Sequence, residues 1–121
     1  MNLDQQCCSL ELSKRLKDFG VKQESLFYFV KHRKWESTDS GMKEIDPIFK
    51  IERWGELTDS EHFSAFTVPE LGEMLGKRML ETYRNAGTVL LSCYGLPQFT
   101  EETEANARAA MVCYLIENKL I

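Results

Sequence analysis

The run LFYFVKHRKW at residues 26–35 constrains the fold more than any other stretch of this chain. Aromatic and β-branched side chains fit a pleated surface and lose rotamer freedom in a helix, so the run is predicted to be a strand. Side chains alternate across a strand, which sends Leu26, Tyr28 and Val30 to one face and Phe27 and Phe29 to the other. The first half is therefore apolar on both faces. Such a strand belongs in the middle of a sheet with material packed above and below it.

Its partner is expected at residues 48–54, IFKIERW, where Phe49 and Ile51 alternate with Lys50 and Glu52 as in a strand with one wet face. Between the two, ESTDSGMKEIDP at 36–47 is rich in turn-forming residues and has no apolar period, so a long exposed loop is expected there. The two strands then form an antiparallel pair.

Helical signals flank this pair. Cys8, Leu12, Leu16 and Phe19 recur at helical spacing, Gly20 suits the left-handed residue that ends a helix, and Val21 can close back on Leu16. Further on, Thr67 precedes Val68 and Pro69 and has Glu70 three residues later, the capping-box spacing with proline in the first turn; Gly76 is its natural stop. Residues 78–84 are read as a strand, although Met79, Leu80 and Tyr83 also fit a continued helix. Asn85, Ala86 and Gly87 then make a three-residue hairpin loop before a strand through Val89, Leu90, Leu91 and Tyr94, apolar on both faces. Thr100 or Thr103 caps a last helix with Ala105, Ala109, Val112 and Ile116 inward. Its second apolar set, Met111, Tyr114 and Leu115, is either further core or a face for a partner.

The expected fold class is α+β, a small antiparallel sheet of about four strands flanked by about three helices in the order αββαββα. With 121 residues the chain is long enough to bury one core without disulfides or metals, so residues 1–121 are read as a single domain. Roughly eighteen uncharged apolar residues are needed to span a bilayer and no such run occurs, so a soluble cytoplasmic protein without membrane contact is expected. Cys7 and Cys8 are adjacent while Cys93 and Cys113 lie in apolar surroundings, which favours free thiols over disulfides or a metal site.

A net charge of -4 argues against a surface built mainly to neutralise phosphates, yet one local cluster stands out. Lys31, Arg33 and Trp35 on the first strand, with Lys50, Arg53 and Trp54 on the second, set cations beside stacking aromatics, the means by which single-stranded nucleic acid is held. The competing explanation is ordinary protection of edge strands by charge. His62 beside Glu61 and Asp59 is a remote candidate for acid–base work, with no third group to complete a site. No catalytic residue, metal ligand set or cofactor is indicated: neither histidine has a local signature with a thiol, and the glycines are scattered rather than gathered in a phosphate-cradling loop.

Three collinear blocks, SLELSKRLKDFGVKQESLFYF, SAFTVPELGEML and TEANARAAMVCYLIENKLI, resemble a family of small uncharacterised proteins of bacteria, prophages and tailed phages. The resemblance implies a compact α+β fold and a mobile-element context, and it carries no assigned activity or functional residue. The expectation is a non-enzymatic accessory protein that binds a protein partner or a second copy of itself. A nucleic-acid-binding module using Lys31, Arg33, Trp35, Lys50 and Arg53 is the alternative.

Overall fold

The computed structural model describes residues 3–53 and 62–121. A single turn, α1 (Leu3–Gln6), leads into α2 (Leu10–Asp18), where the Ser9 side chain accepts a hydrogen bond from the Leu12 amide at 3.3 Å. This cap satisfies one of the amides that a helix start leaves unpaired. The helix ends as its sequence demands. Gly20 takes φ +86°, its amide donates to the Lys17 carbonyl at 2.9 Å, and the Val21 amide reaches the Leu16 carbonyl at 3.0 Å, the paired bonds of a Schellman stop.

The chain then enters β1 (Phe27–Thr38), which pairs antiparallel with β2 (Gly41–Arg53) on one side and with β3 (His62–Ser64) on the other. The expected central strand is thus central, in a three-stranded sheet ordered β2-β1-β3. Phe29 and Phe63 are buried on one face, with Phe27, Phe49 and Ile51 partly buried beside Cys7 and Leu10. Tyr28 (2% exposed) and Val30 occupy the other face. The Tyr28 hydroxyl donates to the Gln23 carbonyl and accepts from the Ser25 amide, each at 3.2 Å, so the segment after α2 is tied down on this second face.

The long loop expected at 36–47 is absent. Both strands run on to Thr38 and Gly41, which pair across a tight turn at Asp39 and Ser40, with Gly41 at φ +122°. Turn residues at 39–41 close the hairpin, and the flanking polar residues are strand residues whose two faces both meet solvent. A bulge lies between the pairs His32↔Ile48 and Lys34↔Ile45, where β2 carries one residue more than β1. Pro47, which has no amide to give the ladder, falls inside it.

After β3, Ala65 and Phe66 continue through the interior: the Ala65 amide bonds the Phe27 carbonyl at 2.9 Å and the Cys8 amide bonds the Phe66 carbonyl at 3.0 Å. Then α3 (Val68–Leu75) begins with the expected capping box, the Glu70 carboxylate accepting from the Thr67 amide at 3.0 Å and from its hydroxyl at 2.9 Å. Its other oxygen takes the Leu26 amide at 3.1 Å. Gly76, at φ +69°, ends the helix.

The segment read as either strand or helix is a strand, β4 (Leu80–Asn85), paired with β5 (Thr88–Cys93). Asn85 pairs with Thr88, so the loop has two residues rather than the expected three: Ala86 at φ +44° and Gly87 at φ +83° form a left-handed turn that matches strand twist. A short β6 (Phe99–Glu101) adds to β5 and takes up Thr100, leaving Thr103 as the cap of α4 (Glu104–Glu117). The strands are therefore shared between two three-stranded antiparallel sheets. The α+β class and the expected order of elements hold, with α1, β3 and β6 added.

The larger core joins α2, α3, α4 and β5. Leu16, Leu71, Leu75, Leu91 and Val112 are buried in it together with Met111 and Leu115, so the second apolar set of α4 is core. Tyr114 is partly buried, edge-on to the Phe99 ring at 5.8 Å. β5 is covered on one face rather than two: Val89 and Leu91 are buried, while Tyr94 just past its end is fully exposed.

Candidate functional site

Alternation along β1 sets Lys31, Arg33 and Trp35 on one face at intervals of roughly 6.6 Å. Register adds Arg53, opposite Phe27, and Phe49, opposite Lys31, to the same face. Lys50 pairs with Val30 and so lies on the other face. The structure thus unites Lys31, Arg33, Trp35 and Arg53 of the predicted cluster and separates Lys50 from them; Trp54 lies outside the described residues.

Two further cations join this face from α2. The Lys14 ammonium sits 5.2 Å from the Phe49 ring centroid and 5.6 Å from that of Phe63, and the Lys17 ammonium sits 4.8 Å from Phe63. Lys17 also donates to the His62 carbonyl at 3.3 Å. At the far end the Arg53 guanidinium lies 5.7 Å from the Phe27 ring. Each cation gains from the ring quadrupole while its head stays at the surface. Sequence reading places Lys14 and Lys17 only between the apolar positions of a helix; their spacing of three puts them on one helical side, but which strand they meet depends on docking.

Register puts Glu44 opposite Trp35 on this face, two residues along β1 from Arg33. Its contact with Arg33 is long, 3.8 Å, between two exposed side chains, and a pair of that kind contributes little. Residues 33–44 are exposed throughout, so beyond the bulge the hairpin is an arm that buries neither face. Trp35 is 53% exposed and Met42, two pairs nearer the tip on the same face, 64%.

On the opposite face Lys43 stands across from Glu36, and His32 Nε2 meets Glu52 Oε1 at 2.6 Å, with Lys34 and Lys50 on the same side. His62 packs edge-on against Tyr28 with centroids 5.5 Å apart; Asp59 and Glu61, its expected acid–base company, lie outside the described residues.

Elsewhere one carboxylate is held by two arginines. A concavity lined by Gln5, Val68, Arg84 and Thr103 holds Glu104, whose two oxygens are taken by Arg84 at 2.9 Å and Arg108 at 3.0 Å. Burial pushes the Cys8 thiol up, against a hydrogen bond with Ser13 at 3.2 Å that lowers it, and burial likewise pushes Cys113 up. Both are thus held as thiols rather than as the nucleophilic thiolate. None of the four cysteines forms a disulfide. Among the described residues no group of metal-binding side chains converges, and no helix is long and apolar enough to cross a membrane.

Comparison with family models, with curated proteins and with solved structures finds no match to this chain.

Proposed function

We propose that this protein is a non-enzymatic accessory module that binds another macromolecule through the β1–β2 arm. The observation that carries this reading is the exposure of residues 33–44 on both faces of a paired hairpin, with Trp35 and Met42 together on one of them. Leaving an indole and a thioether in water forfeits burial energy, and the arm returns none of it to the core of the chain. An arm that the fold does not need is free to serve a contact. Glu104, neutralised by two arginines, and the protonated buried thiols argue in the same direction, because neither set offers a reactive group. The resemblance to small proteins of bacteria, prophages and tailed phages argues for a cytoplasmic partner of host or phage origin.

The test compares the full chain with one in which residues 34–44 are replaced by a two-residue Asn-Gly turn. The core lies on the other side of the bulge, so the shortened chain keeps its cooperative unfolding and loses its bound partner in affinity purification. Equal capture by both chains, or turnover by the full chain against a broad substrate panel, overturns the reading.

A further inference from the structure

We infer that the chain forms a two-fold dimer by pairing β4 antiparallel with β4 of a second copy, so that the β4-β5-β6 sheet continues across the axis. The inference concerns the sheet away from the β1–β2 arm and goes beyond the reading of that arm.

An unguarded edge strand is the first argument. Open edges invite another strand, and proteins blunt them by shortness, bulges, proline or a covering element. Among the described residues, β3 and β6 have three residues each, and β2 carries the bulge and Pro47. β4 has none of these devices: its six residues pair with β5 without a break, and residues 81–85 are exposed. Its two charges are engaged within the chain, Arg84 with Glu104 and Glu81 with the Tyr83 hydroxyl, each at 2.9 Å.

Hydrogen-bond direction is the second argument. The two-residue loop makes Asn85↔Thr88 a hydrogen-bonded pair, so Tyr83 and Glu81 also direct their main-chain groups at β5. Leu80, Thr82 and Arg84 therefore turn their amides and carbonyls to the open side.

The third argument is self-complementarity, and it selects the register. Centring the axis on Thr82 puts Leu80 opposite Arg84 of the second copy and Thr82 opposite its own image, which satisfies all three outward positions with about six main-chain bonds. No like charges meet, and a Thr–Thr pair sits on the axis. On the other face each Tyr83 stands across from Glu81 of the second copy, the hydroxyl–carboxylate partnership already made within the strand. The exposed Tyr83 ring gains cover at the same time. Centring on Tyr83 instead carries Leu80 past the strand end to the Ala86 turn, and centring on Arg84 sets two guanidiniums face to face. The same patch serves on both copies, so the pairing closes rather than growing into a fibre. A dimer carries the β1–β2 arm twice, which favours a partner with repeated sites.

The experiment is sedimentation velocity of the full chain from about 5 to 500 µM, with amide hydrogen exchange followed at both ends of that range. A strand-edge contact is small, so a reversible monomer–dimer equilibrium in the micromolar range is expected. At high concentration the Leu80, Thr82 and Arg84 amides gain protection severalfold, and the Glu81, Tyr83 and Asn85 amides, already bonded to β5, gain less. T82P removes an outward amide that β5 does not use and weakens association roughly thirtyfold, since both axial bonds go. T82K opposes two ammoniums across the axis and weakens association at low salt, with recovery as salt is raised. Circular dichroism shows whether each variant is folded. Replacing residues 34–44 by the Asn-Gly turn leaves the equilibrium within about twofold.

A chain that stays monomeric at about 500 µM overturns the inference. So does association that survives T82P, or T82K should T82P unfold, and so does equal protection along all of β4. Association lost in the arm-shortened chain overturns it too, because the contact then runs through the arm. None of these results bears on partner capture by the arm, which the affinity purification decides alone.

Discussion

Removing the Glu70 carboxylate tests how the two halves of the fold are joined. One oxygen holds the Thr67 amide and hydroxyl at the start of α3, and the other holds the Leu26 amide just before β1. Loss of the cap is worth about 1 kcal/mol and loss of the Leu26 bond about another 1 kcal/mol, since both are charge-assisted but only partly shielded from water. E70A should therefore lower stability by about 2 kcal/mol, or about 8 °C in Tm for a chain of this size. E70Q keeps the shape and one acceptor but turns an NH2 toward a donor, so about half the loss is expected. Urea denaturation followed by far-UV circular dichroism gives the free energies, and native-state hydrogen exchange gives the Leu26 and Thr67 amides. A change below about 0.5 kcal/mol in E70A, or unaltered protection of both amides, refutes the assignment of Glu70 as the clasp.

Two further expectations concern the turn and the thiols. Ala86 sits at φ +44°, a region that a Cβ disfavours and asparagine tolerates, so A86N, creating the Asn-Gly pair preferred in such turns, should raise stability by about 0.5–1 kcal/mol in thermal melts. Because burial raises the Cys8 and Cys113 thiols, the unfolded chain ionises them first as pH rises. Stability from this source is complete below the ordinary thiol range of about 8.5 and falls as pH climbs above it, which urea midpoints at neutral and alkaline pH will show; a slope no shallower in C8A than in the parent chain contradicts the assignment to Cys8.

Much of the fold is legible in local chemistry. Gly20 with Val21, the Thr67–Glu70 pair and the apolar run through Tyr28, Phe29 and Val30 each announce their structure because short-range geometry decides them. The arm escapes notice for a physical reason: alternation of apolar residues reports burial of one face, and a hairpin wet on both faces has none to report. β6 is too short to show a period. The candidate face is half legible. Lys31, Arg33 and Trp35 share a side by simple alternation, but β1 is apolar on both faces, so nothing local says which face meets Phe49 and which meets Lys50. That choice is made by the β1–β2 register, and the arrival of Lys14 and Lys17 by the docking of α2 on β3.

The bulge beside His32 divides one continuous hairpin into two regimes of selection. On the body side, exchanging a residue disturbs close packing around Phe29 and Phe63. On the tip side, residues 33–44 are exposed throughout, so their identities can drift or be redesigned without refolding the rest. Recognition can thus diversify quickly on this chain while the scaffold beneath it stays still.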